Sequence, residues 1–269
     1  MKRIKVAILA ALMAVACTPD CAQQEDKITE LQSALEIEQN KKPIPEKITF
    51  SSLDELPITA NLYHVSDSAP VMVLCHQARW NKIEYVESAK TFMEMGFNCL
   101  AIDQRSGGPL LEFQNETTLA AQEDSLPIDF LDAEQDIIAA VNYASNKYNQ
   151  PVILVGSSYS STLVLWVASE NDNVKAVISF SPGNYFVEQK GDLSLRLQNL
   201  KKPMLVTSSK EEAQDVAVLI SKMELTELQS QFEPEGTGYH GARGLWKTNE
   251  GNEEYWSSVT EFLNKIKNL

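Results

Sequence analysis

Residues 46–51 and 58–65 alternate apolar and polar side chains with a period of two, the pattern of strands that bury one face, and a turn separates them. Farther along the apolar positions run together instead: Val71–Cys75, Asn98–Ile102, Pro151–Gly156, Val174–Phe180 and Lys202–Thr207 have strand length and are apolar on both faces. A weaker run at 227–233 completes a predicted set of eight. Between the strands the period becomes helical. Tyr85, Ala89, Phe92 and Met93 make one face that stops at Gly96, a residue suited to closing a helix C-terminus. Ile137, Ala140, Val141 and Ala144 make another, with Asp132 and Gln135 as an N-terminal capping pair, and Trp256, Val259, Leu263 and Ile266 stripe the last helix. Doubly apolar strands alternating with amphipathic helices predict an α/β fold for residues 46–269: about eight mostly parallel strands with helices on both faces.

The N-terminal stretch lacks this pattern. Lys2, Arg3 and Lys5 precede an apolar run, Val6–Val15, too short to span a bilayer, so residues 1–16 read as a cleaved signal peptide. Ala14-Val15-Ala16-Cys17 is similar to a bacterial lipobox, in which the cysteine becomes the lipidated first residue of the mature protein. Ala14-Val15-Ala16 also fits an ordinary signal-peptidase site, which leaves soluble secretion open. Residues 17–45 are polar and read as a tether from a lipid anchor in the cell envelope; Ile28, Leu31 and Leu35 are spaced for a docked helix, the alternative.

Composition narrows the partners. A formal charge of −14 excludes a phosphate-tracking nucleic-acid surface and does not constrain small substrates. Of the 4 cysteines, Cys17 and Cys21 lie in or just after the signal segment, while Cys75 and Cys99 sit in buried strand runs as small hydrophobes, with a disulfide permitted by the compartment. No H-E-x-x-H, zinc-spaced Cys/His cluster or P-loop is present, so no metal or cofactor is expected.

Val152-Ile153-Leu154-Val155-Gly156-Ser157-Ser158-Tyr159-Ser160 is a strand running into a tight turn with a helix behind it. That is the setting of a G-x-S-x-G nucleophile elbow, where small residues flank a serine pushed out at the sheet edge; Ser160 replaces the second glycine. Val71–Ala78 is a strand leading into a His-Gln-Ala turn, Asp103–Gly108 is a D-x-R-x-G-G turn after the next strand, Pro203–Glu212 is a strand leading into acidic residues, and His240 sits in a loop between Gly238 and Gly241.

These segments together resemble the α/β-hydrolase superfamily, in its dienelactone hydrolase and carboxylesterase branch. The resemblance implies an α/β-hydrolase fold over 46–269 and a triad ordered Ser, acid, His along the chain. Ser158 is then the nucleophile. Of the 3 histidines, His64 and His76 precede it, which leaves His240 as the base. The acidic position falls on Glu212, with Glu211 as the near alternative and Asp215 as a distant one. The backbone N–H groups of Ala78 and Tyr159 form the oxyanion hole, with Gln77 standing where the family usually has glycine. His76 shapes that loop, a second base being the alternative; Asp103 and Arg105 tie loops together, a substrate contact by Arg105 being the alternative.

Two long connections, 108–130 and 183–197, leave strand ends on the side that carries Ser158, and with Trp80, Tyr159 and Trp246 they can line an apolar pocket or simply pack. The expected activity is hydrolysis of a small carboxylic ester through an acyl-enzyme. A peptidase or acyltransferase would use the same residues, and a non-catalytic envelope lipoprotein that binds through the same fold is the rival from another class.

Overall fold

A computed structural model describes residues 45–267. The signal peptide, Cys17 and all but the last residue of the tether lie outside the described residues. Eight strands form one sheet in the order β1-β2-β4-β3-β5-β6-β7-β8. They are β1 (Glu46–Ser51), β2 (Pro57–Tyr63), β3 (Val71–Cys75), β4 (Asn98–Ile102), β5 (Val152–Ser157), β6 (Val174–Phe180), β7 (Met204–Thr207) and β8 (Gln229–Phe232). The first two run antiparallel to their neighbours and the other six are mutually parallel, which fits the mostly parallel sheet expected, while β2 is buried on both faces rather than on one.

The helices are α1 (Val86–Glu94), α2 (Glu116–Glu123), α3 (Ala133–Tyr148), α4 (Tyr159–Glu170), α5 (Val187–Lys190), α6 (Leu193–Leu197), α7 (Ala213–Ile220) and α8 (Asn252–Ile266). Successive strand residues feed opposite cores. Val71, Val73 and Cys75 pack with α3, α4, α6 and α7, whereas Met72 and Leu74 pack with α1 and α8. Cys75 and Cys99 therefore lie in different cores across the sheet, both as buried free thiols, and do not pair. Among the described residues no helix is long and apolar enough to cross a membrane.

The start of α3 departs from expectation. Asp132 does not cap it through a side-chain bond; a 3₁₀ turn, Phe130–Asp132, precedes the helix, and the Asp132 carboxylate accepts the N–H of Asp129 at 2.8 Å. The capping role falls three residues earlier than the apolar period suggests, because the chain is already turning before the buried face begins.

Arg105 is fully buried. Its guanidinium donates to both oxygens of Asp54, at 2.7 and 2.8 Å, and to Asp136 at 2.8 Å, and Ser52 donates its hydroxyl to the same Asp136 oxygen. The turn after β1, the end of β4 and helix α3 are thus tied at one point, and the charge is consumed within the protein. This corrects the alternative that Arg105 touches substrate. Removing Arg105 leaves the buried Asp136 carboxylate without its cation, so Arg105→Ala is expected to lower the unfolding free energy, read from urea denaturation, by about 3–5 kcal/mol.

The chain passes from β3 to β4 on one side and then returns to place β5 on the other side of β3. At that reversal the loops leaving β3 and β5 part, and the crevice between their carboxyl ends is where α/β sheets hold ligands.

Candidate active site

Ser158 lies at the end of β5 with φ +58° and ψ −125°, a left-handed backbone that costs a non-glycine residue roughly 1–3 kcal/mol and turns its side chain out of the sheet. The turn is tight because Gly156 is in contact with the following helix: a Cβ there would sit 2.6 Å from Cα of Ser161. Ser160 takes the place of the second glycine without strain. Its buried hydroxyl accepts the N–H of Ser157 at 2.9 Å and lies 2.8 Å from the Cys75 carbonyl to which it donates, so the elbow is fastened to the neighbouring strand.

His240 reaches the same point from the loop after β8. Its Nε2 is 2.7 Å from Ser158 Oγ and its Nδ1 is 2.5 Å from Glu212 Oε1. A carboxylate can only accept, so Nδ1 carries the proton and Nε2 is left to accept from the serine hydroxyl. The other Glu212 oxygen accepts from the Ser181 hydroxyl at 2.8 Å, the Ser209 hydroxyl at 2.8 Å and the Ser209 N–H at 3.2 Å. Partial burial pushes the Glu212 carboxyl pKa up, but the hydrogen bonds from His240, Ser181 and Ser209 outweigh it and hold the value at about 2. Glu212 is therefore charged at every pH at which the imidazole can act as a base. Glu211, the neighbouring alternative, is exposed.

The histidine loop is held at several points. Tyr239 donates its N–H to the Tyr255 hydroxyl at 3.0 Å, which in turn donates to the Ser208 carbonyl. Gly241 donates to Ser181 Oγ at 2.9 Å and Ala242 to Ser157 Oγ at 2.8 Å. At Gly241 φ is +71° and a Cβ would lie 2.5 Å from Ser157 Oγ, so only glycine lets the loop pass this close to the elbow.

The loop after β3 lies opposite. His76 is buried; Nδ1 donates to the Gln77 carbonyl at 2.8 Å and Nε2 accepts the N–H of Gln104 at 2.9 Å, which fixes the loop and leaves no basic nitrogen for chemistry. This corrects the second-base alternative for His76. Gln77 does not need to be glycine, because the left-handed residue of this loop is Arg79, with φ +62°. Tyr159 opens α4, and the first N–H groups of a helix have no partner within it. Its ring is only 4% exposed and its hydroxyl is held by Gln104 at 2.8 Å and Ser106 at 2.6 Å. Tyr159 thus packs rather than lining an open pocket, while half-exposed Phe130 covers its ring at 4.8 Å. Trp80 and Trp246 stack on each other at 5.6 Å, joining the β3 loop to the histidine loop.

Two contributors escape a reading of the sequence. Ser181, with φ +57°, bridges Glu212 and Gly241. Glu84, in the 3₁₀ turn Lys82–Tyr85, is fully buried; burial pushes its carboxyl pKa up to about 7 against hydrogen bonds from Gln77 and Ser157 and the nearby charges of Arg243 and His240. Nothing short-range marks either one, since a polar residue after a strand and a glutamate before a helix are ordinary.

A serine on a strained elbow at a sheet reversal, next to an imidazole that a carboxylate orients, places the molecule among the α/β-hydrolases. Residues 58–266 match the dienelactone hydrolase family, and the chain belongs to that family. None of the curated proteins compared with it matches. Among solved structures it is similar to an esterase from Pyrococcus furiosus (15% identity, TM-score 0.62, covering 82% of this chain and 90% of that one). It is also similar to a dienelactone hydrolase from Anabaena variabilis (16%, 0.59, 83% and 99%). A third likeness is to the acylaminoacyl peptidase of Pyrococcus horikoshii (15%, 0.61, covering 86% of this chain), of which the chain spans 43%. At these identities the likeness is one of fold.

Proposed function

We propose that this chain is a serine hydrolase that cleaves a small carboxylic ester through an acyl-enzyme, with Ser158 as nucleophile, His240 as general base and acid, and Glu212 as the carboxylate that orients it. The observation that carries the reading is the 2.7 Å contact between His240 Nε2 and Ser158 Oγ, with Nδ1 held by an ionised Glu212. In the first half-reaction Ser158 Oγ adds to the ester carbonyl as its proton passes to Nε2. The imidazolium is stabilised by Glu212 and then returns the proton to the leaving alkoxide. The oxyanion formed meanwhile is matched by the N–H groups of Ala78 and Tyr159, each worth about 3 kcal/mol where the geometry is right. Water repeats the sequence on the acyl-enzyme. Partly exposed Phe130 packs on Tyr159, the residue after the nucleophile, and is the side chain proposed to meet an apolar acyl or alcohol group.

A fluorophosphonate probe forms a stable adduct with an activated serine, and labelling of the purified protein at Ser158 is the result expected. Turnover of p-nitrophenyl acetate with little on a p-nitroanilide supports ester cleavage; the opposite preference moves the reading to a peptidase. Absence of both labelling and turnover favours a fold kept for binding.

The envelope location is part of the same proposal. It is supported by the basic Lys2, Arg3 and Lys5, the short apolar run and Cys17 after Ala14-Val15-Ala16. The full-length protein should partition with membranes into detergent, and Cys17→Ser should release it or block its processing. A wild type recovered wholly in the soluble fraction overturns the anchor.

A further inference from the structure

The Ser158, His240 and Glu212 relay makes no use of the second carboxylate beneath it. Glu84 is 1% exposed, yet each of its acceptor atoms has a partner from a different part of the site. Oε2 accepts the N–H of Gln77 at 2.7 Å, and Oε1 accepts the hydroxyl of Ser157 at 2.7 Å. Ser157 Oγ in turn accepts the N–H of Ala242 at 2.8 Å, and the Glu84 backbone carbonyl accepts the indole N–H of Trp246 at 3.0 Å. Gln77 immediately precedes Ala78, Ser157 immediately precedes Ser158, and Ala242 is the second residue after His240.

We propose that Glu84 is a positioning residue, a single buried carboxylate that fixes the oxyanion loop, the nucleophile elbow and the histidine loop in register with one another. The inference rests on the serine-hydrolase reading above and adds to it a residue that touches none of the reacting atoms. Loops carry the site, and loops are the parts of a fold with most freedom to shift. Transition-state stabilisation, however, requires the donor, the nucleophile and the base to keep their mutual distances to within a few tenths of an ångström. Once Glu84 is ionised, above about pH 7, its hydrogen bonds are charge-assisted, short and directional, and bonds linked in a chain, as from Ala242 through Ser157 to Glu84, polarise one another. A carboxylate that accepts from two of these loops directly, and from the third through Ser157, supplies that constraint without reaching the substrate.

Glu84→Gln keeps the volume and puts an amide donor where an acceptor was. If the amide faces Gln77 it meets another N–H. If it faces Ser157 the hydroxyl oxygen must accept it on its remaining lone pair, and the hydroxyl proton loses its acceptor. The first orientation breaks a tie, the second reverses one, and both take the charge off the acceptor.

The test measures kcat and KM on p-nitrophenyl acetate, the affinity for phenylboronic acid as a tetrahedral adduct, and thermal unfolding, in wild type, Glu84→Gln, Ser157→Ala and the double variant. Expected are a kcat lowered roughly 10- to 100-fold in Glu84→Gln with KM little changed, as for a misplacement near 1 Å. Boronate affinity should weaken by a similar factor. Ser157→Ala should fall in the same direction, and the double variant no lower than the worse single. A Glu84→Gln protein with unchanged kcat and boronate affinity but a lower melting temperature overturns the inference and leaves Glu84 a stabilising residue only. Should Glu84→Gln not fold, unchanged kcat and boronate affinity in Ser157→Ala overturn it equally. A wild type that neither turns over the ester nor reacts with a fluorophosphonate overturns the serine-hydrolase reading and this inference with it. A wild type that reacts, beside a Glu84→Gln that reacts as fast, overturns the inference alone.

Discussion

Replacing Ser158 by alanine should abolish ester hydrolysis while leaving the melting temperature almost where it was. Both halves follow from the elbow. The hydroxyl is the only group removed, and its oxygen lies 2.7 Å from His240 Nε2 at a half-open position rather than in either core. Water can satisfy the imidazole nitrogen that loses its partner, so no buried polar group is orphaned. The positive φ at residue 158 is no harder for alanine than for serine, because both carry a Cβ. Turnover behaves differently, since nothing else on the sheet edge can form the acyl-enzyme. Loss of the nucleophile in a triad of this kind costs about 10⁶ in kcat and leaves only what the oxyanion hole and binding provide. A burst of p-nitrophenol in wild type and none in Ser158→Ala, with superimposable melting curves, is the expected record. Equal turnover in the variant would remove the proposed mechanism.

The parts of this molecule that the sequence made legible are those with a short-range cause. Strand and helix faces follow from the side-chain period, and Ile137, Ala140, Val141 and Ala144, which the period marks, are all buried, together with Asp136, Ser145 and Tyr148, which it does not. The strand order is not written that way. Runs such as Val71–Cys75 and Val152–Ser157 are apolar on both faces, so their pattern does not say which neighbours which, and the place of β3 between β4 and β5 arises only in the assembled sheet. The site divides along the same line. Ser158, Glu212 and His240 each sit in a local motif, and the fold brings these three side chains within hydrogen-bonding distance. Glu84 meets Ser157 across 73 positions and Ser181 meets Glu212 across 31, and no motif marks Glu84 or Ser181. Tyr159 was readable as a pocket aromatic because it follows the nucleophile, but the first turn of α4 directs its ring inward, where Gln104 and Ser106 take the hydroxyl.

The two adjacent glutamates should separate sharply on conversion to glutamine, and the hydrogen bonds around Glu212 say in which direction. Its Oε2 is surrounded by donors: two serine hydroxyls, which can rotate, and the Ser209 N–H, which cannot. In Glu212→Gln the amide oxygen is therefore drawn to that side, because an NH₂ group placed there would face the fixed N–H. The NH₂ group is left pointing at His240 Nδ1, where the carboxylate had accepted a hydrogen bond. Nδ1 must then become the acceptor and the ring proton moves to Nε2. An imidazole protonated at Nε2 cannot take the Ser158 proton, and a tautomer error of this kind in a triad costs about 10⁴ in kcat. The variant should still fold, since the shape is unchanged and the remaining donors keep a partner. Glu211→Gln alters an exposed side chain and should stay within about 0.5 kcal/mol of wild type in stability, with turnover nearly unchanged. Measuring kcat/KM for the pair on one ester substrate decides between them. A severe loss in Glu211→Gln with Glu212→Gln close to wild type would shift the acid by one residue, and two silent variants would leave the imidazole without a working partner and the triad without support.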